Sequence, residues 1–597
     1  MVFVSGEQDK YNYIFPRPQK DEFWEDKFYI LKCRYKESDL VSFYKENKNG
    51  NEDISISKEP LFEREEYSLK IGEDGIKISA SCDEGVFRAL TSLRQLIRKG
   101  KGRVMYCDVH DKPAFKQRGY MWDISRMRKP KPEYMLKIVE MLAELKYNEF
   151  HIYIQDFSFK FEAFPQFTAD YDCLTAKDIR EIDAYCKERF IEFIPNINGM
   201  GHMESWLATE KFAHLAVTPD TMNFLDPQAF ELMDKIYGSL LPNFSSKRVH
   251  IGLDEALGLG KGQTEEECRK KGKEVVFMEW LNKLSDLCRD KYGKTVMFWD
   301  DMIIHHPKCL SMMPKDAVPV EWGYETISTQ LIVENCAALE KCVDKFYVAP
   351  SDCTCFGLTG RWDVTENNIR TMAEVGEKHG AFGYLLTHWG DPDHPHNMVW
   401  GYLQAVLAGQ YCWNPGYKQQ GGWRKNYFVY NSEDFLDEFM FGGEKVSRWL
   451  RYLSNYFLLE PERLAVSTMC ANCMYMPITE KVKTDFFDVA TYGGRWHFDM
   501  LIRYMNEGVE KVSCLDFDEI HKREIIVNCR MVVAGAMMYI IKSDPKSAKE
   551  IAKELVPLLQ WITSEHTFLW LNRSYEKGLE AFLGVLSDRL EEAKRFL

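Results

Sequence analysis

The segment HIGLDEALGLG sets two carboxyl groups, Asp254 and Glu255, side by side at the end of an apolar run that reads as a strand. Two acids in one pocket can divide labour, one ionised and one protonated, because burial and mutual repulsion drive their titrations apart. A glycosidase that uses its own side chain as nucleophile needs carboxyls about 5–5.5 Å apart across the scissile bond, normally from separate strands. Neighbours on a regular strand face opposite sides, but at a strand end the chain turns and both can reach one pocket. Adjacent acids therefore suit a reaction in which the substrate supplies its own nucleophile. The ends of seven other predicted strands also carry polar or aromatic residues. These are Asp123 with Arg126, Gln155 with Asp156, Asn196 with Asn198, Trp299 with Asp300 and Asp301, Glu321 with Trp322, Asp352, and His388 with Trp389 and Asp391. Carboxylates bind hydroxyls and indole faces stack on pyranose C–H groups, so the set describes a sugar pocket. Singly, Asp and Asn also cap helices and close loops.

The elements that must position these residues alternate. Apolar strand candidates begin at Gly119, Glu149, Ile191, Arg248, Thr295, Ala317, Lys345 and Ala381, separated by amphipathic segments such as PEYMLKIVEMLAELKY. Eight strand–helix units over about 300 residues predict an α/β fold, a parallel (β/α)8 TIM barrel over residues 114–412. No Gly-rich phosphate turn follows the first strand, as a doubly wound sheet would require. Residues 1–113 predict a small α/β N-terminal domain, from the hairpin YSLKIGEDGIKISA and the helix GVFRALTSLRQLIRKG. After residue 412 the strand signal stops, and 413–597 predicts an α-helical C-terminal domain.

Composition narrows the partners. With 77 Lys and Arg against 91 Asp and Glu, the 597-residue chain carries a net charge of −14, which disfavours nucleic acid and anionic membranes. The start, MVFVSGEQDKYNYIF, lacks the basic opening and apolar stretch of a signal peptide. The longest apolar run, Met531 to Ile541, is about half of what a bilayer needs. The 17 cysteines are scattered and odd in number, which predicts reduced thiols and a cytoplasmic protein. Cys470 with Cys473, and Cys353 with Cys355, fall short of a four-ligand zinc site. His305–His306 and His394 with His396 lie in Pro-containing loops and read as solvated or helix-flanking. No metal and no cofactor is expected.

One family shares these motifs. HIGLDE fits the pattern H-x-G-x-D-E, and Arg118 through Arg126 fits R-G-x-x-x-D-x-S-R. With the DEALGLG loop, the small N-terminal domain and the helical C-terminus, the chain resembles glycoside hydrolase family 20, the exo-β-N-acetylhexosaminidases, in a bacterial subgroup with a C-terminal helical domain. The resemblance implies release of terminal β-linked N-acetylglucosamine or N-acetylgalactosamine from glycans, with retained configuration, through an oxazolinium intermediate. It implies that Asp254 holds the acetamide N–H and Glu255 is the acid–base. Arg118 would bind the sugar's O3 and O4 hydroxyls, and Asp156 and His202 would be outer members of a charge network. Trp299, Trp322 and Trp389 would wall the pocket, and Asp391 stands where many relatives have Glu. Those relatives also present Tyr after the seventh strand; VAPSDCTCFGLTGRW has none, leaving Tyr324 and Trp362 as the candidates near the acetamide. Two alternatives remain. A metal-dependent barrel hydrolase would want His-x-His after the first strand, where this chain has Asp123. A sugar-binding homologue without turnover would not need the intact acid pair.

Overall fold

The computed structural model describes residues 14–35, 39–100, 102–310, 312–324, 328–416, 427–478 and 495–597. Residues 1–13, which carry most of the segment read as lacking a signal peptide, lie outside that set. The N-terminal sheet contains β1 (Lys20–Ile30), β2 (Ile54–Lys58), β3 (Tyr67–Gly72), β4 (Gly75–Ala80) and β5 (Arg103–Asp111), in the order β1-β5-β3-β4-β2. The expected hairpin is β3–β4. The edge strand β1, KDEFWEDKFYI, keeps nearly every residue at least partly exposed, so it has no clean two-residue alternation to betray it. The helix Asp83–Gly100 buries Phe87, Leu90 and Leu93.

Eight parallel strands then close into a barrel: β6 (Gln117–Asp123), β7 (Glu149–Ile154), β8 (Glu192–Ile197), β9 (Arg248–His250), β10 (Thr295–Trp299), β11 (Val318–Trp322), β12 (Tyr347–Ala349) and β13 (Gly383–His388). Closure is by β13 on β6, from Gly383↔Gln117 to His388↔Trp122. Strands such as β7 and β13 are buried along their whole length, because one face meets the barrel interior and the other the outer helices. Met121, Tyr153, Met297, Trp299, Val320, Tyr347 and Leu385 fill that interior.

The N-terminal mouth is closed by ion pairs. Glu149 meets Arg248 (2.5 Å) and accepts from the Tyr347 hydroxyl (2.9 Å). Below them, Arg118 and Arg88 both donate to Glu65 of the N-terminal domain, at 2.6 and 2.8 Å. Burial alone would raise the Glu65 carboxyl; the two guanidiniums instead hold it at about 2.

Past the barrel the described chain is helical. The helix Glu519–Ser543 is long and apolar enough to cross a membrane, yet 89% of its most apolar window is buried in the protein. It packs against Met469–Tyr475, Trp496–Ser513 and Ala548–Arg573. Its Asn528 reaches the barrel: Oδ1 accepts from Asn397 N (3.0 Å), Asn397 Nδ2 (2.8 Å) and Trp400 Nε1 (3.2 Å), while Nδ2 donates to the Pro395 carbonyl (2.9 Å).

Candidate active site

The acid pair owes its position to a strained corner. Strand β9 ends at His250, after which Gly252 (φ 67°), Leu253 (φ 75°) and Glu255 (φ 45°) take left-handed conformations. That region is uncommon for Leu or Glu and clusters at functional sites. At Gly252 a Cβ would lie 1.6 Å from Asn198 Oδ1, so glycine is required. The corner brings both carboxyls to one imidazole: His202 Nε2 lies 3.4 Å from Asp254 Oδ2 and 3.5 Å from Glu255 Oε2. Burial opposes charge on His202, but Asp254 and Glu255 outweigh it and raise its pKa to about 10.

The two acids differ in exposure. Asp254 is buried, and its Oδ1 has no hydrogen-bond partner. The Glu255 side chain is 49% exposed. Asp301 Oδ2 accepts the Glu255 backbone N–H (3.0 Å), and its other oxygen faces Trp322 Nε1 (3.4 Å). Burial, then the charge of Asp254, pushes the Asp301 carboxyl up to about 7. Behind it, burial raises Asp300 and Glu321 as well, Glu321 to about 7.

Across the barrel mouth, Arg126 Nη1 donates to Asp123 Oδ2 (2.7 Å) and Nε pairs with Asp391 Oδ1 (2.6 Å). Its guanidinium lies over Trp389 (4.9 Å) and Tyr153 (5.2 Å). Burial pushes Asp391 up to about 6 in spite of Arg126. Trp389 meets Trp299 at 6.1 Å, and its Nε1 donates to the Tyr324 hydroxyl (2.7 Å). Trp322 packs on Tyr324 at 5.1 Å. The Trp299 N–H is buried without a partner.

Asp254, Glu255, His202, Asp301 and Trp322 thus form one connected group. Arg126, Asp391, Trp389, Trp299 and Tyr324 form a second, joined to the first where Trp322 packs on Tyr324. Five expectations differ from the structure. Arg118 is fully buried at the opposite end of β6, bound to Glu65, and cannot reach a sugar. Barrel sites lie at strand C-termini, and Arg118 precedes Asp123 by five residues, roughly 16 Å of strand. Asp156 pairs with Lys129 (2.8 Å) and touches neither His202 nor the acids among the described contacts. Trp362 opens the helix Trp362–Lys378 and packs in the outer core, apart from the interior aromatics. His394 and His396 are buried rather than solvated. His202 touches both acids directly instead of acting at one remove. Arg126 and Asp301, which the resemblance leaves without a role, join the site; their place at predicted strand ends is the signal that marks them.

Residues 115–337 match the glycosyl hydrolase family 20 catalytic domain, and residues 25–112 match domain 2 of the same family. The chain belongs to glycosyl hydrolase family 20. The family 20 catalytic match takes in β6 to β11, and with them Arg126, the acid pair and Asp301. A curated relative, beta-hexosaminidase 1 of Coccidioides posadasii, is 24% identical over 347 residues, which are 51% of this chain and 57% of that protein. The chain spans about half the length of the curated relatives it matches. Among solved structures, Flavobacterium johnsoniae chitobiase superposes with a TM-score of 0.58 at 16% identity, over 96% of this chain and 98% of that one. The exo β-N-acetylglucosaminidase of Vibrio harveyi, in complex with N-acetylglucosamine, gives 0.55 at 21% identity over 71% and 76%. These likenesses support the family 20 fold.

Proposed function

We propose that this family 20 protein is an exo-acting, retaining β-N-acetylhexosaminidase, and that its substrate's own acetamide is the nucleophile. The observation that carries the reading is Asp254 Oδ1, a buried carboxylate oxygen without a partner beside a half-exposed Glu255. A buried acceptor left empty is costly, and an acetamide N–H is the donor that would fill it. In the first step the acetamide oxygen attacks the anomeric carbon while Glu255 gives its proton to the departing glycosidic oxygen. Asp254 accepts the N–H and stabilises the positive charge of the oxazolinium. Water then attacks the anomeric carbon, Glu255 takes its proton, and the ring reopens with configuration retained. His202, bridging both acids, keeps their carboxyls at fixed separation. Arg126 and Asp391 offer a charged pair to the sugar hydroxyls, and Trp389 and Trp299 offer its apolar face a wall. Tyr324, accepting from Trp389, has its O–H left to direct at the acetamide carbonyl or at Thr387. None of the 17 cysteines forms a disulfide, which supports a cytoplasmic setting.

A panel of chromogenic β-glycosides tests the reading. N-acetylglucosaminide or N-acetylgalactosaminide should be cleaved, and the plain glucoside and galactoside, which lack the acetamide, should be very poor substrates. Glu255→Gln should lower turnover on a poor leaving group by about 10²–10⁴-fold with little change in binding. Asp254→Asn should lower turnover and also weaken inhibition by a thiazoline mimic of the cyclised intermediate. Efficient glucoside cleavage with indifference to thiazoline would sink the proposal.

A further inference from the structure

Three imidazoles outside the acid pair converge beneath the Arg126 wall. His388 ends β13, and His394 and His396 follow in the next loop; all three are buried, and one nitrogen from each lies within 4.8 Å of the other two. They line a cavity of about 10 Å³ bounded also by Trp122, Tyr134 and Ser574. Neutral imidazole has one donor and one acceptor nitrogen, and the partner of one determines the role of the other. His388 Nδ1 is 2.5 Å from Asp352 Oδ2 and must donate to that carboxylate, so Nε2 carries the lone pair. His394 Nδ1 is 3.0 Å from the Arg126 carbonyl and donates to it, and its Nε2 has no partner. Neither nitrogen of His396 has one.

We propose that His388, His394 and His396 bind one zinc ion. Three imidazoles with a fourth, non-protein position are a recurrent zinc donor set, at about 2.0–2.1 Å per nitrogen. Rings on one tetrahedral ion have centroids roughly 5 Å apart; here the separations are 5.3, 5.5 and 6.2 Å. Asp352 behind His388, and the backbone carbonyl behind His394, are the outer partners that orient metal-bound histidines. Asp352 is itself held, its other oxygen accepting from Thr354 Oγ1 (2.7 Å) and Thr354 N (3.2 Å).

The backbone is shaped around the cluster. Asp393 and His394 are successive non-glycine residues at φ 55° and 47°, a conformation that persists only where the surroundings impose it. At Gly390 a Cβ would lie 1.9 Å from the His394 ring; at Gly401 it would lie 2.9 Å from Asp352 Oδ2 and 3.0 Å from His388 Nδ1. Both glycines are needed for the imidazoles to sit where they do. Arg128 also lines the cavity and opposes a cation. Its nitrogens are engaged by the His396 carbonyl (3.1 Å), Asn397 Oδ1 (3.0 Å) and Ser574 Oγ (3.3 Å), and Asp352 supplies a countercharge on the far side. The ion would brace the wall above it, because His394 holds the Arg126 backbone whose side chain pairs with Asp123 and Asp391. It touches no reacting atom.

The test uses the full chain, with zinc and cobalt(II) as probes. Protein stripped with pyridine-2,6-dicarboxylate should take up about one zinc per chain by elemental analysis, with a rise in Tm. Cobalt(II) in its place should give the visible bands of a tetrahedral nitrogen-ligated ion. His396→Gln should lose the zinc and the Tm rise, whereas Glu255→Gln should keep both, so that a failed glycosidase reading and a failed metal site are told apart. If His396→Gln does not fold, the cobalt spectrum of the unsubstituted chain still decides. Wild-type protein that takes up neither ion overturns the site, as does a folded His396→Gln that retains its zinc; the cavity would then hold water between neutral imidazoles.

Discussion

Two arginines of one nine-residue motif, Arg118 and Arg126, separate structural from chemical work at the residue scale. Arg118→Ala removes one of the two guanidiniums that hold the buried Glu65 carboxylate, leaving it to Arg88, and empties the space that the Arg118 side chain fills. Its signature should be a lowered Tm with KM little changed in protein that remains folded. Arg126→Ala removes the partner of Asp391 at the barrel mouth and should raise KM and lower kcat together. If Arg118→Ala raised KM and Arg126→Ala did not, the assignment of Arg126 to the sugar would be reversed. Asp301 carries a pH signature. Folded, it keeps its proton up to about 7, against an ordinary value of 3.8. The stability this lends is fully present below the unfolded value and is lost as pH rises through about 7. Asp301→Asn abolishes that titration. The variant's Tm minus the wild type's should grow between about pH 4 and 7 and then level off; a difference independent of pH would show that Asp301 does not titrate as stated.

At the scale of elements, the corner after β9 matters more than the strand. Only three residues of β9 are regular, and the left-handed run that follows turns two neighbouring carboxyls toward one imidazole. Gly252→Ala would set a Cβ against Asn198 Oδ1 and penalise φ 67° besides. A displacement near 1 Å of reacting groups can cost about 10²-fold, so turnover should fall by about that factor while the far-UV circular dichroism keeps its helix content. Wild-type turnover would mean that the corner tolerates relaxation and does not set the acid geometry. The strand cores were legible because buried parallel strands are continuous apolar runs. The edge strand β1 was not, since its charged, largely exposed residues carry no alternation.

For the whole molecule, the helical domain is tied to the barrel through Asn528. Its Oδ1 takes three donors, from Asn397 and Trp400, and its amide reaches the Pro395 carbonyl beside the histidine cluster. Asn528→Leu would orphan those groups at about 1–3 kcal/mol each. The expected outcome is a clear fall in Tm, together with faster proteolysis of the loop at 395–398. A Tm within experimental error of wild type would mean that the apolar packing of Glu519–Ser543 holds the two parts together without it.

What the sequence determined by itself was whatever depends on neighbours along the chain. Strand–helix alternation is local periodicity, and the barrel follows because parallel strands with short returns have few ways to bury both faces. The Asp254–Glu255 pair, too, is a local motif. Chain direction already separates the two arginines, since Arg118 opens β6 and Arg126 follows its end, the side where barrel sites lie; tertiary structure alone decided their partners, Glu65 for Arg118 and Asp123 with Asp391 for Arg126. It also decided that His202 meets both acids, 52 and 53 residues along the chain, and that His388, His394 and His396 face one another in one buried cavity. The first arises where loops from separate strands return to one barrel mouth, a convergence set by closure of the sheet, and the second where the loop after β13 folds back on the end of its own strand.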